Sequence, residues 1–171
     1  MEGNEFQSTI AEVEGVTIRP VTPEDAEILS TLKIEFLEAI IGAPMSEEKR
    51  VFMRELLVPY FAESITSGEY IGRIAEEKGV PAGTGGVVIY KLPPFTMGMQ
   101  SGRKGYVMNI FTCPDFRRRG ICRAIMQWLK KDAHAAGVEY LHLHATDMGI
   151  DIYRSLGYQE PHQPELVLRL T

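Results

Sequence analysis

Residues 117 to 123, Arg-Arg-Arg-Gly-Ile-Cys-Arg, put three consecutive arginines and a glycine where a strand gives way to a helix. Tyr106 to Thr112 is apolar and rich in strand formers, and Pro114 and Asp115 end it with turn chemistry. Ile121, Ala124, Ile125, Trp128, Leu129, Ala133 and Ala136 then recur at helical spacing. Arg123, Gln127, Lys130, Lys131 and His134 form the other face, and Gly137 stands where a C-terminal cap belongs. The first N–H groups of a helix lack partners within it and carry partial positive charge, so its N-terminus binds anions. Gly120 removes a side chain where backbone must come close to a ligand. The unit suits a phosphate or a pyrophosphate. On charge alone it equally suits a solvated basic loop in front of an ordinary helix.

The rest of the chain must position this unit. Val16 to Pro20 alternates and predicts a first strand. Thr22-Pro23-Glu24-Asp25 predicts a helix start, with Thr as cap, Pro at the first position and acids in the first turn. That helix runs to about Ile41, with Leu29, Leu32, Phe36 and Ile40 facing inward and Gly42-Ala43-Pro44 as its stop. Ser46 caps a second helix through Phe52, Leu56 and Leu57. Pro59 predicts a break or kink, followed by a further helical piece from Tyr60 to Ser67 that Gly68 closes. Tyr70 to Glu76 reads as a strand, Glu77-Lys78-Gly79 as a turn, and Ala82 to Lys91 as the next strand. Gly83-Thr84-Gly85-Gly86 lacks both the Lys-Ser ending of a phosphate loop and the spacing of a dinucleotide loop. It marks a bulge or close packing inside a strand. Leu92 to Lys104, with two prolines, two methionines and two glycines, reads as a mobile surface loop.

After the organising strand and helix, Glu139 to Thr146 predicts a strand with Leu141, Leu143 and Ala145 opposed to His142 and His144. Asp147 to Leu156 predicts a short helix, and the alternating Glu165 to Leu170 a last strand, with one more short strand near Tyr158. The order β-α-α-β-β-β-α-β-α-β implies an α/β (mixed α+β) fold, a twisted mixed sheet of about six or seven strands flanked by about four helices.

The run Arg117-x-x-Gly120-x-Cys122, preceded by Pro-Asp-Phe, resembles the acyl-CoA signature of the GNAT superfamily of N-acyltransferases. That signature is Gln or Arg, two residues, Gly, one residue, then Gly or Ala; Cys122 stands at its last position here. Ile152-Tyr153-Arg154-Ser155-Leu156-Gly157-Tyr158 is similar to the tyrosine-helix-glycine segment that follows in the same family. The resemblance covers residues 16 to 171 and implies a single-domain GNAT-like fold over 15–171 behind a flexible lead-in, 1–14. It implies transfer of an acetyl group from acetyl-CoA to a primary amine by direct attack, with no metal. By position, the main chain of Ile110, Phe111 and Thr112 receives the pantetheine arm. The backbone of Arg117, Arg118, Arg119, Gly120, Ile121, Cys122 and Arg123 holds the pyrophosphate. Thr146 stands where many members carry a cofactor-contacting asparagine.

Tyr153 falls at the position of the general acid, and it contacts the cofactor too. A phenol with a pKa of about 10 is protonated at neutral pH and can donate to a thiolate whose acid has a pKa of about 8.5. The base is open. Glu35 and Glu38 on the first helix could line an acceptor site, His142 and His144 share a strand face and titrate near neutrality, and water could relay the proton. Asn109 cannot serve as a base.

Length, charge and cysteine usage bound the alternatives. The chain of 171 residues, 44% apolar and 24% charged, suits one globular domain with a proper core. No apolar run has the length to span a bilayer, and Met1-Glu2-Gly3-Asn4-Glu5 lacks the basic region and apolar core of a secretory signal. Cys113 and Cys122 alone give no disulfide framework or zinc spacing, so a cytoplasmic, reducing location is expected. A net charge of −5 argues against nucleic acid as partner and makes the arginine cluster local, which favours a small polyanion such as coenzyme A. The expected partners are acetyl-CoA and an amine acceptor, with no nucleic acid and no membrane; a homodimer is left open. Two other function classes compete. One is a non-catalytic acyl-CoA-binding sensor or interaction module, which turnover would separate. The other is a nucleic-acid binder using the arginines, whose binding would weaken steeply with salt.

Overall fold

The computed structural model describes residues 10–94, 101–147, 149–162 and 165–170. Among them the elements run β1 (Thr17–Pro20), α1 (Ala26–Ile41), α2 (Glu47–Ser67), β2 (Tyr70–Glu77), β3 (Val80–Lys91), β4 (Arg103–Thr112), α3 (Ile121–Ala135), β5 (Tyr140–His142) and α4 (Ile150–Ser155). The sheet has five strands in the order β1-β2-β3-β4-β5. The first four strands pair antiparallel in sequence, and β5 joins β4 parallel. No described helix is long and apolar enough to cross a membrane.

Local chemistry sets the first helix. A single 3-10 turn, Pro23–Asp25, leads into α1. The Asp25 carboxylate accepts from the Thr22 N–H at 2.8 Å and from two Arg19 nitrogens at 2.8 Å, and Arg19 reaches Glu76 at 2.8 Å as well. Helix entry is thereby tied to β1 and β2, and the Arg19 guanidinium holds the Asp25 carboxyl below the usual range. Leu29, Leu32 and Ile34 are buried, and Phe36 packs on Phe111. Ile40, expected inward, is 56% exposed, because the last turn of α1 runs past the sheet. Gly42 at φ 75° ends α1, and Gly68 at φ 75° ends α2.

Of the break or kink expected at Pro59, the break does not occur. The α2 helix continues through it to Ser67. Proline removes one hydrogen bond, to the carbonyl four residues back, and here that residue is Glu55. Both Pro59 and Glu55 lie on the exposed side, where water can serve the carbonyl. Phe61, two residues on, anchors the helix by packing edge-on against buried Tyr70 at 5.3 Å.

Two apolar layers cover the sheet. Ala26, Leu29, Phe61, Tyr70 and Ile74 form the one under α1 and α2. Ala75, Ala82, Val87, Val107, Ile121, Ile125, Leu129 and Ala133 form the one under α3. The glycines of β3 let both layers close. A Cβ at Gly85 would lie 2.5 Å from Ile110 Cδ1 and 2.8 Å from Ile125 Cγ2. One at Gly86 would lie 2.0 Å from the Tyr70 hydroxyl. We expect Gly86→Ala to cost about 1–3 kcal/mol of stability by overpacking, read as a lower urea midpoint at unchanged m-value.

The sheet is smaller than the expected six or seven strands. Of Glu139–Thr146 only Tyr140–His142 pairs, and there is no strand near Tyr158 among the described residues. Glu165–Leu170 forms no strand either; Leu166, Val167, Leu168 and Leu170 are 81–90% exposed. Alternation makes a strand only where a neighbouring edge receives it, and β5 offers three residues. Part of the Leu92–Lys104 loop, residues 95–100, and most of the lead-in, residues 1–9, fall outside the described residues. Within the lead-in, the Ala11 N–H donates to Gln127 Oε1 at 2.9 Å and Val13 packs against the α3 layer.

Candidate functional site

The site begins with an irregularity in β4. Asn109 sits at φ 57°, and the β3–β4 register slips by one residue between Thr84 and Gly86, so that Asn109 and Ile110 face Gly85. Such a bulge bends its strand and sharpens the twist. Asparagine is among the residues that best tolerate this backbone conformation. Its side chain is buried beside the Tyr70 hydroxyl, and among the described residues no hydrogen bond of ordinary geometry reaches its oxygen or nitrogen. The bulge was not anticipated; a lone asparagine inside an apolar strand was the available signal.

Past the last pair, Tyr106↔His142, β4 and β5 part. The edge of β4 from Val107 to Thr112 that faces β5 has no strand partner among the described residues. Unpaired N–H and C=O groups there suit an extended polar ligand. Ile110, Phe111 and Thr112 lie on this edge. The Ile110 side chain packs against the α3 layer, and Phe111 against Phe36 with ring centroids 6.0 Å apart.

The arginine segment follows through a 3-10 turn, Pro114–Phe116. Arg117 donates from Nε to the Thr112 carbonyl at 3.2 Å. Arg118 adopts φ 61° and is exposed. Arg119 reaches away from the helix start, to Glu77 at 2.6 Å and the Glu14 carbonyl at 3.0 Å, and so ties the turn to β2. Arg123 donates to Ser155 Oγ at 2.8 Å and straps α3 to α4. Two of these four side chains thus brace the turn, and a third joins two helices. The Gly120 carbonyl accepts from Ala124 N–H at 3.0 Å, and Gly120 itself takes φ 86° with open space where a Cβ would stand. The Ile121 side chain points into the core, 1% exposed. What faces outward from Gly120 to Arg123 is therefore the start of the helix backbone.

The Thr146 carbonyl accepts from Gly149 N–H at 2.9 Å and Ile150 N–H at 3.1 Å and so begins α4, while the residue itself is exposed. Tyr153, one turn into α4, packs its ring on Tyr158 at 6.1 Å and 67°. Burial pushes both phenols up to about 12. Cys122, at the head of α3, adds to the rise at Tyr153, and burial pushes its own thiol up as well. Both groups are protonated at neutral pH. Among the described residues no hydrogen bond is made to the Tyr153 hydroxyl. The fold thus brings Tyr153, Cys122 and the α3 start together.

The base candidates separate. The Glu38 carboxylate accepts from Arg50 at 2.6 and 2.9 Å and from the Met45 N–H at 2.7 Å, and Arg50 holds it below the usual carboxylate range. It locks the α1–α2 turn and is a poor base. Glu35 is half-buried on α1. His142 and His144 do share a face, and each meets a tyrosine: the Tyr90 hydroxyl lies 2.8 Å from His142 Nε2, and the Tyr106 hydroxyl 3.0 Å from His144 Nδ1. Glu165 Oε2 lies 2.8 Å from His144 Nε2, a contact that no local pattern announced. Among the described residues no group of three or more His, Cys, Asp or Glu is placed to hold a metal ion.

Comparison with known proteins places this geometry. Residues 34–158 match the model of the acetyltransferase (GNAT) family. A predicted acetyltransferase from Clostridium acetobutylicum, solved with acetyl-CoA, superposes with a TM-score of 0.80 at 24% identity, covering 91% of this chain and 96% of that one. A GCN5-related N-acetyltransferase from Ralstonia eutropha JMP134 gives 0.75 at 23% identity, over 90% of this chain and 99% of that one. Glucosamine-6-phosphate N-acetyltransferase from Arabidopsis thaliana gives 0.68 at 17% identity, over 92% and 100%. No curated protein matches this sequence. The chain belongs to the GNAT family of acetyltransferases.

Proposed function

We propose that this acetyltransferase moves the acetyl group of acetyl-CoA to a primary amine by direct attack, with Tyr153 as the acid that protonates the departing sulfur. One observation carries the reading. A phenol held protonated, and free of any hydrogen bond among the described residues, lies where α4 meets the start of α3, beside Cys122. The structural neighbour solved with acetyl-CoA supports the choice of donor.

In this reading residues 15–171 are the transferase domain. The β4 edge at Ile110, Phe111 and Thr112 hydrogen-bonds the pantetheine arm. The Arg117–Arg123 backbone holds the pyrophosphate, which needs N–H groups and a helix start rather than arginine side chains. Thr146 contacts the cofactor from the start of α4. Tyr153 gives its proton to sulfur as the carbon–sulfur bond breaks. A thiol is a better acid than this phenol, so Tyr153 must deliver its proton within the transition state and regain one from the nitrogen side.

The test is release of free thiol from acetyl-CoA across a panel of amines, alongside the melting temperature with and without acetyl-CoA. Turnover and a rise in melting temperature are expected, since a ligand of the folded state alone stabilises it. A rise without turnover on any amine would favour the non-catalytic acyl-CoA-binding module, and no rise at millimolar acetyl-CoA would sink the assignment. Cys122→Ala should keep at least half of the wild-type rate, because the buried thiol is held protonated and serves as packing. Loss of activity there would point to a covalent thiol instead.

A further inference from the structure

The acid has an address, but the acceptor amine enters as an ammonium ion and needs a base. Resting on the transferase reading above, we propose that Tyr106, His144 and Glu165 form the relay that takes the acceptor's proton. Tyr106 is the residue that would touch the amine, and His144 and Glu165 are positioned behind it.

Placement comes first. Tyr106 is the last residue of β4 paired to β5, and His144 lies two residues beyond Tyr106's partner His142, on the other arm of the opening. Their hydrogen bond therefore spans the point where the strands part. Tyr106 alternates with Val107, which packs in the α3 layer, and shares its face with Met108, which packs in the α1–α2 layer. Tyr153 packs in the α3 layer. Acid and relay thus approach the opening from opposite faces of the sheet, so an amine arriving from the α1–α2 side meets Tyr106 first.

The hydrogen-bond chemistry then fixes the direction of the relay. An ionised carboxylate only accepts, so His144 Nε2 donates to Glu165 and carries the ring proton. Nδ1 is left with its lone pair, and the Tyr106 O–H donates to it. An imidazole oriented by a carboxylate on one side and accepting from a hydroxyl on the other is the arrangement general-base catalysis requires. Beyond them, His142 on β5 meets Tyr90 on β3 and Tyr106 on β4, and Lys104 on β4 lies over Tyr140. Burial, with Lys104, pushes His142 below the usual imidazole range, so it stays neutral and does not oppose a positive charge on His144. His144 and Glu165 are 62% and 61% exposed at their side chains, which lets the relay return its proton to water.

The protons balance. One proton of the ammonium passes to Tyr106 Oη as the Tyr106 proton passes to His144 Nδ1, leaving an imidazolium beside Glu165. The neutral nitrogen bonds to the thioester carbon, the carbon–sulfur bond breaks, and sulfur takes the proton of Tyr153. The second nitrogen proton, released as the amide forms, restores Tyr153. The imidazolium loses its proton to solvent, and one proton is released per turnover.

Two measurements test this. In the ¹⁵N spectrum of the histidine-labelled protein, which needs no substrate, neutral His144 should carry its proton on Nε2; a proton on Nδ1 overturns the relay. In the amine assay, His144→Gln should lower kcat/KM by about a hundredfold, the lower end of general acid–base effects, and abolish the acid limb of the pH profile. It should leave the thermal shift with acetyl-CoA in place. Glu165→Gln should lower kcat/KM by less than His144→Gln does and move the acid limb to lower pH, since a carboxylate orients the ring and stabilises the imidazolium. An active wild type whose His144→Gln variant keeps its rate and its acid limb overturns the relay alone. A wild type silent with every amine overturns the transferase reading and the relay with it.

Discussion

Tyr153→Phe should lower turnover by about a hundredfold to ten-thousandfold, the range that general acid catalysis supplies. The change removes one oxygen. The ring remains, and with it the contact with Tyr158 and the packing on the α3 layer. No hydrogen bond within the described residues is lost with that oxygen, so stability should be close to unchanged. Cofactor affinity should change little for the same reason, and the acetyl-CoA Michaelis constant should move far less than the turnover number. The pH behaviour follows from burial. With its pKa pushed up to about 12, Tyr153 stays protonated throughout the range in which the protein can be assayed. It should contribute no falling limb to the rate below that pH. A donor whose thiol leaves easily needs less protonation, so the loss in Tyr153→Phe should shrink with such a donor. If the variant matches the wild type with acetyl-CoA, Tyr153 is a packing residue and another group or water gives the proton.

Most of the scaffold was legible because its signals are local. Pro23 and Ser46 start helices, Gly42 and Gly68 end them, and the α3 stripe repeats at the helical period. The glycines of β3 read as close packing and serve it. What escaped depends on partners distant in sequence. Whether Pro59 breaks a helix depends on whether the carbonyl it strands faces water, and whether Glu165–Leu170 forms a strand depends on an edge to receive it. The same divide runs through the site. The α3 start and the position of Tyr153 follow from local motif spacing. The bulge at Asn109 is a slip between two strands, the pairing of Glu38 with Arg50 spans two helices, and Arg119 turns to Glu77 because β2 ends nearby. Composition could not show that the Arg117 and Arg119 side chains brace their own turn, which leaves the backbone, as expected from the outset, as the proposed anion site.

A pyrophosphate held by backbone makes Gly120 the decisive position to change. Gly120→Glu should weaken acetyl-CoA binding by about a hundredfold or more, because a like charge set against a pyrophosphate costs several kcal/mol and each 1.4 kcal/mol is about tenfold. Two effects add at this position. The residue holds φ 86°, where any side chain is strained by about 1–2 kcal/mol, and it would place a carboxylate at the helix start. No atom of the described residues lies within 4 Å of the added Cβ, so the fold should survive with a modest loss of stability. Gly120→Ala separates the two effects. It carries the backbone strain without the charge, so it should lose similar stability but much less affinity. Dephospho-CoA should bind the wild type nearly as well as CoA if the pyrophosphate is the main anchor, and it should be rejected equally by Gly120→Glu. Calorimetric titration of both variants checks this. Equal affinity of Gly120→Glu and the wild type for acetyl-CoA would move the anion site away from the start of α3. The exposed Arg118 side chain, at φ 61°, would then be the next residue to change.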